Sequence, residues 1–224
     1  MQDKPVYATP AAHLDSVLAT NKVLRNTYML LGMTLLFSAF TATASIVIGI
    51  SQGAALMLML VSFGLLFVVN RTADSAKGLI FIFIFTGCMG ASLGPMLSFY
   101  LSMPSGPGLV MQALGGTALV FFGLSAYALT SRKDFSFMGG FLFVGLLVAV
   151  IASIANIFLG IPALSLTVSA AIVMIMSGLI LFDTSRIING GETNYIRATV
   201  GLYLSIYNLF VHMLSLLTAF SGDD

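Results

Sequence analysis

The chain has 224 residues, 58% of them hydrophobic and 8% charged, with a formal net charge of +1 and a mean hydropathy of +1.05. A water-soluble domain of this size covers its surface with roughly 25% charged residues, so a soluble enzyme or binding module is excluded and a polytopic membrane protein remains. The near-zero net charge also excludes the basic excess that nucleic-acid binding requires.

In chain order, residues 1–26 hold no apolar core of the kind a signal peptide carries, and they are expected to stay attached as a polar cytoplasmic tail. A spanning helix needs about 20 apolar residues at 1.5 Å each. Spans are predicted at 27–49, 54–70, 78–101, 108–130, 137–159, 163–185 and 198–220, with 221–224 as a short outer end. The apolar run from 137 to 182 is too long for one crossing, and Gly160 with Pro162 marks the turn that divides it.

Within the spans, small residues predict where helices meet: Ser38, Ala39, Ala42, Ala44 and Ser45 in the first, Gly90 and Gly94 in the third, Gly115 and Gly116 in the fourth. Pro95 is expected to kink the third span and to release a carbonyl that a neighbour must satisfy. Gln112 and Asn156 are expected to hydrogen-bond between helices. Cys88, the one cysteine, permits no intrachain disulfide and is expected as a packing residue.

The basic residues test the span count independently. They fall in the N-terminal tail (Lys4, Lys22, Arg25) and in the second, fourth and sixth connections (Arg71, Lys77, Arg132, Lys133, Arg186, Arg197). The first, third and fifth connections carry none. Seven spans therefore put every Lys and Arg on one side, predicted to be cytoplasmic, with the C-terminal Gly222, Asp223 and Asp224 outside. Connections this short leave no room for an extramembrane domain, so any activity belongs to the bundle or its cytoplasmic rim.

The last span, ATVGLYLSIYNLFVHMLSLLTAF, carries Ser205, Asn208, His212 and Ser215 at i, i+3, i+7 and i+10, one stripe of a helix. Unpaired polar groups in hydrocarbon cost on the order of a few kcal/mol each, so the stripe is predicted to face other helices or a wet cavity. Upstream, Asp183 in LILFDTSRII is the one carboxylate with membrane-like flanks. Two readings stand side by side for it: a proton or cation site, or a fastener ion-paired to Arg186 on the same helix face or to Arg197 across the short loop.

Catalytic groups are sparse. His13 and His212 fall on opposite sides of the predicted membrane, so no metal-ligand pair forms, and HExxH, GxSxG and Walker patterns are absent. GGETNYIRAT follows no strand, which argues against a phosphate cradle, and the 13 methionines are dispersed. The expectation is a non-enzyme without cofactor or metal.

Several strings are familiar. KVLRNTYMLLGMTL, FTGCMGASLGPML, ALGGTALVFFGLSAYALTSRKDFSFMGG and LFDTSRIINGGETNYIRATVGLYLSIYNLF resemble the Bax-inhibitor (TMBIM) family, and within it the bacterial YccA branch, from about residue 20 onward. The resemblance implies seven helices, with two three-helix layers around a central last helix. It also implies a partner: the membrane-bound, ATP-dependent zinc protease FtsH, whose degradation of membrane proteins the branch restrains from the bacterial inner membrane. Other members are described as pH-sensitive calcium leaks gated by two aspartates, with a latching arginine on the second span. Asp183 matches the first aspartate and Arg71 the arginine, but Ser205 stands at the second aspartate. Two touching carboxylates share a proton and so switch sharply with pH; one carboxylate facing a hydroxyl loses that coupling.

Two functional expectations follow: an FtsH modulator with the cytoplasmic tail as its handle, or a calcium or proton leak along Asp183, Ser205, Asn208 and His212.

Overall fold

The computed structural model describes the backbone of residues 10–222 and the side chains of residues 21–222. Its helices are α1 (Pro10–Ile48), α2 (Gln52–Thr72), α3 (Ala76–Ser92), α4 (Gly94–Leu101), α5 (Gly106–Ser131), α6 (Gly139–Leu159), α7 (Pro162–Ile188) and α8 (Tyr195–Ser221), with a 3-10 turn at Ser136–Met138 before α6. There is no strand among the described residues. Seven stretches are long and apolar enough to cross a membrane, because α3 and α4 make the third crossing together. The protein is an all-α integral membrane protein.

Most predicted spans agree with the helices to within a turn. The first does not: α1 begins at Pro10, inside the predicted tail. Most of that tail, His13 included, lies outside the described side chains, and Asp223 and Asp224 lie outside the described residues altogether.

The break in the third crossing has a chemical cause. Pro95 has no N–H to give the carbonyl of Ala91, four residues back, and the Ser45 hydroxyl of α1 donates to that carbonyl at 2.7 Å. The close approach depends on glycine: a Cβ on Gly90 would collide with the Ser38 carbonyl, and one on Gly94 with the Ser45 side chain. In α5 the glycines divide. A Cβ on Gly116 would come within 2.5 Å of the Met213 sulfur, whereas Gly115 faces open space and is no helix contact. The turn between α6 and α7 is closed by Gly160 in the left-handed region (φ 62), whose N–H bonds the Asn156 carbonyl at 2.8 Å. Asn156 itself accepts from the Ile161 amide at 3.0 Å, so it serves this turn and not a neighbouring helix. Gln112 is exposed and makes no interhelical hydrogen bond.

The crossings sort into two layers. In the first, α3 lies between α1 and α2, which do not approach one another; in the second, α7 lies between α5 and α6, which likewise stay apart. Both halves of the chain thus follow the same order, first, third, second. The layers meet where α1 touches α7 and where α4 touches α5, and α8 packs between them against α1, α2, α3, α5 and α7. Its span is 44% buried, the most of the seven; that of α6 is 11% buried, the least. The predicted enclosure of the last helix is therefore incomplete: α6 rests on α7 and the 3-10 turn and does not reach α8.

Candidate functional site

α8 is an amphipathic rod whose two polar faces meet different layers. The face predicted from sequence turns toward α7. Ser205 is fully buried, Asn208 donates back along its own helix to the Leu204 carbonyl at 2.8 Å, and His212 shares a 3.2 Å hydrogen bond between its Nδ1 and the Ser169 hydroxyl of α7. Ser205 is thus buried and Asn208 and His212 are half-buried with a hydrogen-bond partner each, as the energy of an unpaired polar group in hydrocarbon favours.

Asp183 of α7 is half-buried at the end of the same seam that bears the basic loops. Its carboxylate lies against the backbone of α8 at Gly201, where a Cβ would come within 2.8 Å of Oδ2. Glycine at 201 is what lets the carboxylate fit.

Of the two readings open for Asp183, the ion-paired fastener is not what the structure contains. Arg186 turns away to its own C-terminal loop, where its guanidinium meets Glu192 at 3.6 Å, the Gly191 carbonyl at 3.3 Å and the ring face of Phe182 at 5.4 Å. Arg197 pairs with Asp74 at 2.6 Å, tying the start of α8 to the connection after α2. Both cations thus stay at the solvated rim, where holding a charge is cheap, and among the described residues Asp183 has no ion pair. Arg71 corrects the latch expectation. It is exposed in the last turn of α2, and α2 stands at the far edge of its layer with no approach to α7, so the structure does not bring Arg71 to Asp183.

The rim is held by two small polar knots. Asn194 caps α8 by accepting from the amides of Ile196 (2.9 Å) and Arg197 (3.1 Å), while its own amide donates to the Ala73 carbonyl (3.0 Å) and to Asp74 (2.8 Å). Ser185, buried in α7, donates to the Lys133 carbonyl and accepts from the Phe135 amide, both at 3.0 Å, so it fixes the loop before α6.

Sequence reasoning missed the second polar face of α8. The Tyr203 phenol meets the Ser38 hydroxyl of α1 at 2.7 Å and the Thr86 carbonyl of α3 at 3.3 Å, and its ring stands edge-on to Phe85 at 5.8 Å. One turn on, the Tyr207 hydroxyl lies 3.2 Å from Ser92. Two tyrosines four apart in one span were the available signal: a buried phenol needs a partner, and this pair points to the first layer as the stripe points to the second. Among the described residues no three His, Cys, Asp or Glu side chains converge as a metal site would require.

The family described as "Inhibitor of apoptosis-promoting Bax1" matches residues 20–222. The chain belongs to the Bax-inhibitor family. Within it, the chain is 55% identical over 208 residues to the Modulator of FtsH protease YccA of Escherichia coli K12, covering 93% of this chain and 94% of that protein. An uncharacterized membrane protein of Vibrio cholerae serotype O1 is 51% identical over 217 residues, 96% and 97% of the two chains. A Pseudomonas aeruginosa relative, also uncharacterized, is 46% identical over 202 residues, 90% and 91%.

Proposed function

We propose that this chain is a non-catalytic, multi-pass inner-membrane regulator that binds an FtsH-type membrane protease and restrains its breakdown of membrane proteins. The observation that carries this reading is the 55% identity, over nearly the whole of both chains, to a protein named Modulator of FtsH protease. The fold is consistent with it: the exposed apolar flanks of α2 and α6 offer a membrane-embedded partner broad surfaces. The tail before residue 21 is the expected handle. Co-purification with the protease from detergent, together with the lifetime of a membrane substrate in cells with and without this protein, tests the reading. Association and a longer substrate lifetime are expected; neither occurring would remove it.

A second reading, a cation or proton leak, is favoured by the seam itself, which lines up Asp183, Ser205, Asn208 and His212 between α7 and α8. Liposomes loaded with a calcium- or pH-sensitive dye test it. Flux abolished by Asp183→Asn supports a leak, and flux equal to empty liposomes eliminates it.

A further inference from the structure

α6 leans on α7 without reaching α8, and this leaves a wedge between α6 and α8 floored by α7. The wedge holds a cavity of about 320 Å³ in the half of the bundle away from the basic loops, near the Gly160 turn. Its lining mixes apolar surface with a set of polar side chains that a purely lipid-facing crevice would not gather. Ser153 and Asn156 of α6 lie at i and i+3, Ser165 and Ser169 of α7 at i and i+4, and His212 of α8 closes the inner end. One face of each helix is thus turned inward with hydroxyl, amide or imidazole groups, although the outer face of α6 at this level, Ile151, Ile154 and Phe158, is apolar and exposed.

Hydrocarbon in that space would leave the hydroxyls of Ser153 and Ser165 and the free capacity of Asn156 and His212 unpartnered, at a few kcal/mol for each group. Water in it would satisfy them, and the cavity has room for several molecules. Val168 and Ile157 are the two aliphatic side chains among the lining residues.

We propose that the α6–α8 wedge is a water-filled inlet from the membrane face opposite the basic loops, and that it puts His212 in contact with the solvent, and so with the protons, of that compartment. His212 is then a proton acceptor served from one side only. Facing it are Ser169 of α7 and the Ser153 and Asn156 stretch of α6, and among the described residues no other titratable or charged side chain lines the cavity. The inlet depends neither on protease binding nor on ion flux.

Cysteine accessibility tests it in the full-length protein in membranes. Single cysteines are placed at Ser153, Ser169 and His212 in a Cys88→Ala background and treated with a membrane-impermeant cationic methanethiosulfonate, which reacts with a thiol in water and not with one in lipid. Ile151→Cys, two residues from Ser153 on the exposed outer face of α6, is the lipid-facing reference, and Ile161→Cys in the Gly160 turn defines the side. The inlet predicts that Ser153→Cys and His212→Cys are modified at least about tenfold faster than Ile151→Cys, and from the same side as Ile161→Cys. Ser169→Cys provides a second reading of depth should His212→Cys not accumulate. Rates no faster than Ile151→Cys would mean a lipid-filled crevice and overturn the proposal. Modification at Ser153→Cys with none at His212→Cys or Ser169→Cys would overturn the contact with His212.

Discussion

At the scale of single residues, the contact between Asp183 and Gly201 governs the seam. A methyl at 201 would press on the carboxylate, so Gly201→Ala should destabilise the protein by about 1–3 kcal/mol through overpacking. Thermal unfolding in detergent measures this. Asp183→Ser in the same chain should restore most of the loss, because the shorter side chain withdraws the clashing oxygen; no recovery would mean that the strain lies elsewhere. Asp134, in the loop before α6, supplies a pH test. Hydrogen bonds from the Ser136 hydroxyl and from its amide, the latter at 2.8 Å, hold the Asp134 carboxyl below the usual carboxylate range. Folding therefore favours its ionised form. That contribution is complete above the unfolded value of about 4 and is lost as pH falls through the lower folded value. Asp134→Ala should accordingly lose less stability than the parent protein between pH 5 and pH 3, read by the same thermal assay; parallel losses would discount the pair of bonds.

Among elements, the α3–α4 break shows what a sequence can and cannot announce. Pro95 fixes where the helix must open, and so its position was legible. The donor was not, because Ser45 lies 50 residues away and only the packing of α1 on α3 and α4 brings its hydroxyl to Ala91. Ser45→Ala should cost about 0.6–1.7 kcal/mol, the range for hydrogen bonds between membrane helices. In a Pro95→Ala background the same change should cost nearly nothing, since residue 95 then bonds Ala91 itself. A double-mutant cycle measures the coupling, and additive losses would refute it. Asp183 illustrates the opposite failure. Spacing along one helix offered Arg186 as its partner, but proximity in sequence does not decide between a membrane seam and a solvated loop, and the guanidinium went to the loop with Glu192.

For the whole molecule, seven crossings were legible from apolar runs and from the parity of basic residues alone, because the bilayer imposes length and sidedness on every segment at once. The layer order was not, since no local pattern records that α3 separates α1 from α2 and that α7 separates α5 from α6. Three crossings per half also reverse the direction of the second half, so the two layers are related as an inverted pair and α8 belongs to neither. Single cysteines in the Arg132–Lys133 loop and in the Gly160–Ile161 turn should label from opposite sides of the membrane with an impermeant reagent. Labelling from one side would break the crossing count and the layer assignment together.

The position of α8 after the six other crossings bears on biogenesis. Six crossings leave the ribosome before the rod that joins them does, so until α8 is made Ser38, Thr86, Ser92, Ser169 and Asp183 wait without the groups they are shaped to meet. A nascent chain stalled before residue 195 holds two half-assembled slabs with a polar gap between them. Completion of the last helix is therefore the step that commits the whole bundle, and it commits all at once.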